Sequence, residues 1–334
     1  MDLNSICKYG DTYPLLVFED DSIKAGLCNP SILYKDGKFV FNLRDVNYVL
    51  YHAIGATKYM QEGGRFASAW GPLSYLHPDG YHKLVTKNYA GTLEEGCKLV
   101  DTSMLDVEPK WEFHGLEDCR LVNWGNKVYL TGVRRDTTDT GVGRMELSRI
   151  IDIEDSPKEI SRVRIKHPTD EGNAYCEKNW MPVRDIPFTY VKHANPTQVV
   201  KVNPENGDCW VTEQKQRVEG IPDTRGGSQV LSYKGGYIAV THDTMFWYFT
   251  DRGSGNKDAV YHHRIVFWDK DWNIQKVSKP FHFMGGQIEF CCGAEYVDNK
   301  FHITFGFQDN SAHLLVIDEE HIDNLLEDGD YTRD

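Results

Sequence analysis

The chain has 334 residues, 40% of them hydrophobic and 12% aromatic, which is room for one large all-β domain or two ordinary ones around a substantial core. With 37 Lys and Arg against 50 Asp and Glu the formal charge is -13, so the totals carry no basic footprint for nucleic-acid phosphates, and a nucleic-acid acceptor would need a strongly segregated basic surface. Eight cysteines stand without a C-x-x-C pair, no run of about 18 apolar residues occurs, and no cationic leader precedes an apolar stretch; a zinc ribbon, a thioredoxin-type motif and a membrane span are not expected, and a reducing, cytoplasmic setting is.

In chain order, strand character is predicted for Tyr13 to Phe18, Ile32 to Leu43, Val46 to Ala53, Arg120 to Arg134, Thr189 to Val202, Gln229 to His242, Ala259 to Trp268 and Phe301 to Ile317. Between them stand residues that tolerate positive φ: Asp36-Gly37, Gly125-Asn126, Asn206-Gly207, Gly235-Gly236, Asp271-Trp272-Asn273 and Asp298-Asn299. Helix is predicted only for the Glu-rich segment Thr92 to Leu99 and for Glu319 to Leu326. One hairpin unit thus recurs near 30–60, 117–150, 178–212, 226–278 and 291–318. Repetition of a hairpin at long spacing marks a β-propeller, here of five blades in a single domain spanning 1–334, with a terminal blade closed by joining the two chain ends. The spacing of roughly 65 residues exceeds the 40–50 of common propeller repeats, so 54–75, 136–145, 165–178 and 245–258 are expected to be inserted loops.

The copies share turns and apolar strands but differ in the residues that open them: Asn29-Pro30, Glu117-Asp118, Asn179-Trp180, Gly227-Ser228 and Gly293-Ala294. The innermost strand of a blade lines the axial channel, where charge is costly unless paired or used. In His114-Gly115-Leu116-Glu117-Asp118-Cys119-Arg120, strand alternation places Glu117 and Asp118 on opposite sides and returns Arg120 to the face of Asp118. Glu177-Lys178-Asn179-Trp180 offers an acid, a base, an amide and an aromatic for sugar hydroxyls or an anion. The glycines of Arg225-Gly226-Gly227 free backbone N–H groups beside a guanidinium suited to phosphate or carboxylate. His242-Asp243 and Tyr261-His262-His263-Arg264 suit hydrogen bonding or phosphate contact, or zinc if a third ligand comes from elsewhere. Glu289 to Glu295, with Gly306 to Asn310 after the next hairpin, sets small residues beside carboxylates, as a close-packed channel wall would. Asp269-Lys270-Asp271 matches a D-x-D transferase motif but sits at a hairpin tip and reads as a turn. Gly141-Val142-Gly143 lacks the strand-to-helix setting of a dinucleotide fingerprint, and no P-loop, G-x-S-x-G or H-E-x-x-H is present.

At these residues the sequence resembles the five-bladed propeller enzymes of glycoside hydrolase family 130, the mannoside phosphorylases and their relatives. The resemblance rests on Gly115-Leu116-Glu117-Asp118-Cys119-Arg120, similar to the family's Glu-Asp-Pro-Arg with Cys119 in place of Pro, on Lys178-Asn179-Trp180, and on the Gly-rich opening of the last blade. It also looks like propeller-type glycosyltransferases in Arg225-Gly226-Gly227, Tyr261-His262-His263-Arg264 and Ile288-Glu289-Phe290-Cys291-Cys292-Gly293. The resemblance implies inversion by single displacement, with Asp118 as general acid acting directly or through a sugar hydroxyl and Glu117 beside it. It implies that Lys178, Asn179, Arg225, His262 and Arg264 hold phosphate or a nucleotide diphosphate; Glu117, Glu177 and Asp309 are expected to orient hydroxyls. Arg120, Arg134, Trp180, His242, Tyr261 and Glu289 complete the candidate substrate- or phosphate-binding set.

The expected activity is glycosyl transfer from a nucleotide sugar or sugar 1-phosphate to a carbohydrate acceptor, with no cofactor firmly implied and a divalent metal compatible with a nucleotide-sugar donor. An inverting phosphorylase or hydrolase, and a non-catalytic glycan- or protein-binding propeller, are the rival readings.

Overall fold

The computed structural model describes residues 5–19, 22–24, 27–47, 49–52, 65–68, 73–77, 84–111, 113–168, 176–248 and 257–333. Five antiparallel sheets stand as the blades of a propeller. Blade 1 orders Leu27–Lys35, Lys38–Val46, Leu84–Thr92 and Gly96–Leu99; blade 2 orders Glu117–Trp124, Lys127–Arg134, Arg144–Ile151 and Lys158–Arg164. Blade 3 consists of Met181–Pro182, Thr189–His193, Gln198–Val202 and Cys209–Gln214. In blade 4, Arg225–Gly226 and Leu231–Tyr233 both pair with Gly236–Tyr248, followed by Lys257–Trp268 and Ile274–Val277. Blade 5 joins Glu289–Val297, Lys300–Phe307 and Ser311–Asp318 to Asp11–Leu15 from the other end of the chain, with Thr12 opposite Leu315. Closure by joining the two chain ends is therefore present: the N-terminal strand supplies the outermost strand of the last blade.

The hairpin tips adopt the left-handed conformations that their residues favour. Asp36-Gly37, Gly125-Asn126 and Asp298-Asn299 all have positive φ at both positions, which matches the right-handed twist of the flanking strands. One tip is shifted by a residue, since Lys234 and Gly235 take the positive φ values rather than Gly235-Gly236. Apolar faces meet between blades: Leu33, Val40, Leu121 and Leu130 between blades 1 and 2, Val122, Trp124, Met145, Trp180 and Tyr190 between 2 and 3. Trp124 Nε1 donates to the Val183 carbonyl at 2.9 Å and Trp268 Nε1 to Thr197 Oγ1 at 3.0 Å, so each buried indole pins one blade to the next.

The expected helix at Glu319 to Leu326 is present as Glu319–Glu327, with Ile322 and Leu326 buried. The one expected over Thr92 to Leu99 is absent: Leu84–Thr92 turns directly into Gly96–Leu99, and Thr92 Oγ1 accepts from the Glu95 N–H inside that turn. A charged turn between two strands imitates a short helix in composition. Of the expected insertions, 54–75 and 245–258 lie largely outside the described residues. Around the first, Val49–His52, Arg65–Ser68 and Leu73–His77 form a small sheet of their own between the second and third strands of blade 1.

Candidate active site

The innermost strands enter the axis at one end of the propeller and run toward the other. At the entering end they do not keep regular pairing. The register slips between Cys28 and Ser31, between Glu117 and Arg120, and between Cys291 and Gly293, in three different blades. Asn29 (φ 42°), Asp118 (φ 51°) and Asn179 (φ 62°) take left-handed backbone at these openings, where Asn and Asp are the side chains that do so most readily. A bulge re-aims side chains toward the axis. It also overturns the expected alternation: Glu117 and Asp118 both line the same cavity, and Arg44 reaches both, with Nη1 2.9 Å from Asp118 Oδ1 and Nη2 3.6 Å from Glu117 Oε2. Close approach here requires glycine. A Cβ on Gly226 would lie 1.9 Å from the Asn179 carbonyl oxygen, and one on Gly306 2.1 Å from Asn29 Oδ1.

The cavity is about 900 Å³ with its open mouth included. Its walls are Asn29 and Arg44 from blade 1, Glu117 and Asp118 from blade 2, Lys178 and Asn179 at the entrance to blade 3, Arg225, His242 and Tyr261 from blade 4, and Phe290 and Asp309 from blade 5. Asn29 Nδ2 donates to Asp118 Oδ1 at 2.8 Å and to Asp309 Oδ1 at 3.4 Å, so one amide joins the two carboxyls. Their proton affinities are driven apart. Burial would raise Asp118, but Arg44, Arg120, the Asn29 amide and Lys178 outweigh it and hold the carboxyl below its usual range. Burial pushes Asp309 up to about 6, opposed by Arg44 and Asn29 and reinforced by the charges of Asp118 and Glu117. The pocket therefore pairs an ionised carboxylate with one that holds its proton up to about pH 6, and the group expected to be the acid is the ionised member.

The opposite wall is cationic. Lys178 and Arg225 are exposed to the pocket and form no ion pair with any described residue. Burial, reinforced by Arg225 and Lys178, drives the His242 pKa well below its usual value, so the ring is neutral. Its Nδ1 lies 2.9 Å from the Gly226 carbonyl and must donate there, which leaves Nε2 as an acceptor. Tyr261 packs on His242 at 5.3 Å between ring centroids, and burial next to Asp309 and Asp118 pushes its hydroxyl up to about 12, so it stays a donor.

Of the residues singled out in the sequence, Glu117, Asp118, Lys178, Asn179, Arg225, His242, Tyr261 and Asp309 meet in this cavity. The others lie elsewhere. Arg120 is buried in the channel wall, donating to the backbone carbonyls of Gly227 at 2.8 Å and Asp118 at 2.6 Å, so it braces the bulge. Trp180 packs between blades 2 and 3 and donates to Glu177 Oε2 at 2.8 Å; it presents no face for a sugar to stack on. Glu177 in turn pairs with Lys192 at 2.8 Å and His167 at 2.9 Å. Arg134 forms a two-pronged pair with Asp136, and Arg264 with Asp243 and Asp330. Strand alternation sends Tyr261 into the pocket and His262 against His282 on the other side. Glu289 accepts from the N–H groups of Phe283, Met284 and Gly286 at 2.6 to 2.8 Å, holding the loop before blade 5. Arg44, Arg135 and Thr86 belong to the site or its rim and were not anticipated. The one signal for Arg44 was a guanidinium inside a strand that is otherwise buried. Among the described residues, no three His, Cys, Asp or Glu side chains are placed to hold a metal ion.

No protein-family model and no curated protein sequence matches the chain. Solved structures do match along nearly its whole length. β-1,2-Mannobiose phosphorylase from Listeria innocua aligns with a TM-score of 0.54 at 13% identity, covering 95% of this chain and 99% of that one. A glycoside hydrolase family 130 structure, from the hydrolases that target β-1,2-mannosidic linkages in Candida mannan, gives 0.54 at 12% identity over 93% and 95%. A GDP-Man-dependent mannosyltransferase from Leishmania mexicana gives 0.52 at 11% identity over 93% and 90%. The chain thus has the five-bladed propeller fold of glycoside hydrolase family 130.

Proposed function

We propose that this propeller transfers a glycosyl group from a phosphate-activated sugar to an acceptor hydroxyl in the axial pocket. The carrying observation is the division of the pocket into an ionised carboxylate on one side and uncommitted cations, Lys178 and Arg225, on the other. A phosphate leaving group needs cations and no proton. An acceptor hydroxyl needs a group able to take its proton, and an ionised Asp118 can take one but has none to give. In the reaction the acceptor oxygen attacks the anomeric carbon, the bond from that carbon to the phosphate oxygen breaks, and its electron pair leaves on the phosphate held by Lys178 and Arg225. The acceptor proton passes to Asp118, directly or through a sugar hydroxyl, and Asn29 and Arg44 fix the carboxylate for it. Neighbours of the same fold act on mannosides, so mannose donors are the first to try.

A second reading has its own support. Asp309, pushed up to about 6, can donate a proton, which phosphorolysis of a glycoside requires. Inverting hydrolysis fits less well, because both carboxyl oxygens lie within 3.4 Å of one Asn29 nitrogen. That leaves less than the roughly 6.5–9.5 Å that such hydrolases keep open for water.

A thermal-shift screen of nucleotide sugars and sugar 1-phosphates tests the proposal, since a ligand of the native state raises its melting temperature. We expect a donor that stabilises the wild type and fails to stabilise Arg225→Ala. If no such compound binds and Asp118→Asn leaves every tested transfer intact, the proposal is wrong.

A further inference from the structure

The cationic wall of the axial pocket also carries a fixed acceptor. His242 lines the pocket, is only 2% exposed, and stands opposite Arg225 in the register of blade 4. Its ring is held from several directions. Nδ1 lies 2.9 Å from the Gly226 carbonyl, the Tyr261 ring packs against it at 5.3 Å and 30°, and Phe290 meets it edge-on at 4.9 Å and 89°. A carbonyl oxygen only accepts, so the proton of the neutral ring is fixed on Nδ1 and Nε2 keeps its lone pair. Nε2 forms no hydrogen bond with any described residue. Gly226 also packs against Asn179, whose buried Oδ1 is a second acceptor with no partner among the described residues. Phosphate oxygens cannot answer either atom. A fully ionised phosphate ester has no proton to give, and charging the ring to receive it would oppose both burial and the neighbouring Arg225 and Lys178.

We infer that His242 is a specificity-determining residue for the sugar and not a phosphate ligand: its Nε2 accepts a hydrogen bond from a free hydroxyl of the transferred glycosyl unit. The inference rests on the proposed function and narrows its substrate to sugars that present such a hydroxyl to blade 4, beside the phosphate held by Lys178 and Arg225. Tyr261 lines the same pocket and keeps its phenolic proton, so it can donate to the oxygen whose proton His242 receives. The two side chains together then read one hydroxyl as both donor and acceptor. A sugar lacking that proton leaves Nε2 unanswered inside a buried site, and a site built to bond a substrate hydroxyl rejects the analogue without it far more strongly than it rejects a small change in size.

Isothermal titration of the full chain tests this with the 1-phosphates of mannose, glucose and galactose and with GDP-mannose. The tightest binder is then compared with its monodeoxyfluoro analogues at carbons 2, 3, 4 and 6, since fluorine is near a hydroxyl in size but has no proton to donate. We expect one analogue to bind the wild type at least about tenfold more weakly than the parent, and to come within about threefold of it in His242→Ala. His242→Phe, which keeps a ring and loses the lone pair, carries the same expectation where the alanine variant does not fold. Nitrogen NMR of the wild type with ring-labelled histidine should show no imidazolium forming when the parent binds at pH 8. Analogues that all bind within about threefold of the parent, a discrimination that survives in a folded His242 variant, or an imidazolium that forms on binding and is missing from that variant overturns the inference and leaves the proposed function standing. If none of the probes binds, the inference falls, and the thermal-shift screen described above decides the proposed function separately.

Discussion

The two ends of the propeller axis use the same strands in opposite ways. At the floor the side chains of Gln229 and Ser31 are answered across the axis. Gln229 Nε2 donates to the carbonyls of Ile32 and Leu121 at 2.7 Å each, its Oε1 accepts from the Ala294 N–H at 2.9 Å, and Ser31 Oγ accepts from the Leu121 N–H at 3.1 Å. One amide thereby ties blade 4 to blades 1, 2 and 5. Toward the mouth, Asn179 Oδ1 and Asn29 Oδ1 are buried without hydrogen-bond partners among the described residues, and Lys178 and Arg225 form no ion pair with any described residue. Polar groups that close on each other hold a fold together, and polar groups left open at the end of a rigid scaffold are there for something else to close.

The largest expected effect separates the two ends by activity. Asp118→Asn keeps the shape and the Asn29 contact but removes the proton acceptor, and glycosyl transfer should fall at least about a thousandfold, near 4 kcal/mol of barrier, with donor binding retained. A steady-state assay that finds less than a tenfold loss would remove Asp118 from the reaction. The floor should respond in the other currency: Gln229→Leu strands two carbonyls and an N–H, and urea unfolding should show a loss of about 3 kcal/mol or more. Ligand affinity of the protein that remains folded should stay within about twofold of wild type, because no floor residue lines the pocket.

The sequence showed the floor and the mouth unequally, and the bulges explain why. Turn residues at fixed places, such as Asp36-Gly37 and Asp298-Asn299, act locally, so the blade count was legible without the structure. The openers differed from copy to copy, and Asn29, Glu117, Asp118 and Asn179 among them converge on one axial cavity. What alternation could not supply was direction, since a single left-handed residue at Asp118 puts it on the same side as its neighbour Glu117. Asn29, Asp118 and Asn179 at matching positions were a visible hint, all three being residue types that accept that backbone. Arg44 contributes from the second strand of its blade and reaches Asp118 across 74 residues of sequence, a contact that no local pattern encodes. Trp180, Arg264 and Glu289 were chemically suitable for a ligand, but each satisfies a neighbour instead, and only packing distinguishes the two uses.

Two smaller effects sharpen the contrast. Lys178→Ala and Arg225→Ala should each weaken donor or phosphate binding by about tenfold to a hundredfold, with unfolding midpoints unchanged because neither cation forms an ion pair with any described residue. A loss of stability with binding intact would make them structural. The smallest effect is a pH dependence at Asp309. Its folded pKa of about 6 lies above the unfolded value near 3.8, so the native state binds the extra proton between those limits and loses that stabilisation as pH rises through 6. Asp309→Asn should therefore melt higher than wild type at pH 8 and approach or fall below it near pH 4. Equal melting curves at both pH values would mean that Asp309 is not held protonated by the pocket.

The most direct test of the axial site as a glycosyl-transfer centre is phosphorus NMR of the protein incubated with mannose-bearing nucleotide sugars or sugar 1-phosphates and a mannoside acceptor. Release of nucleoside diphosphate or phosphate that requires acceptor, and that disappears in Asp118→Asn and Arg225→Ala, is the expected result. A panel of donors from which no phosphate species is released, or a release that both variants sustain at the wild-type rate, would contradict the account.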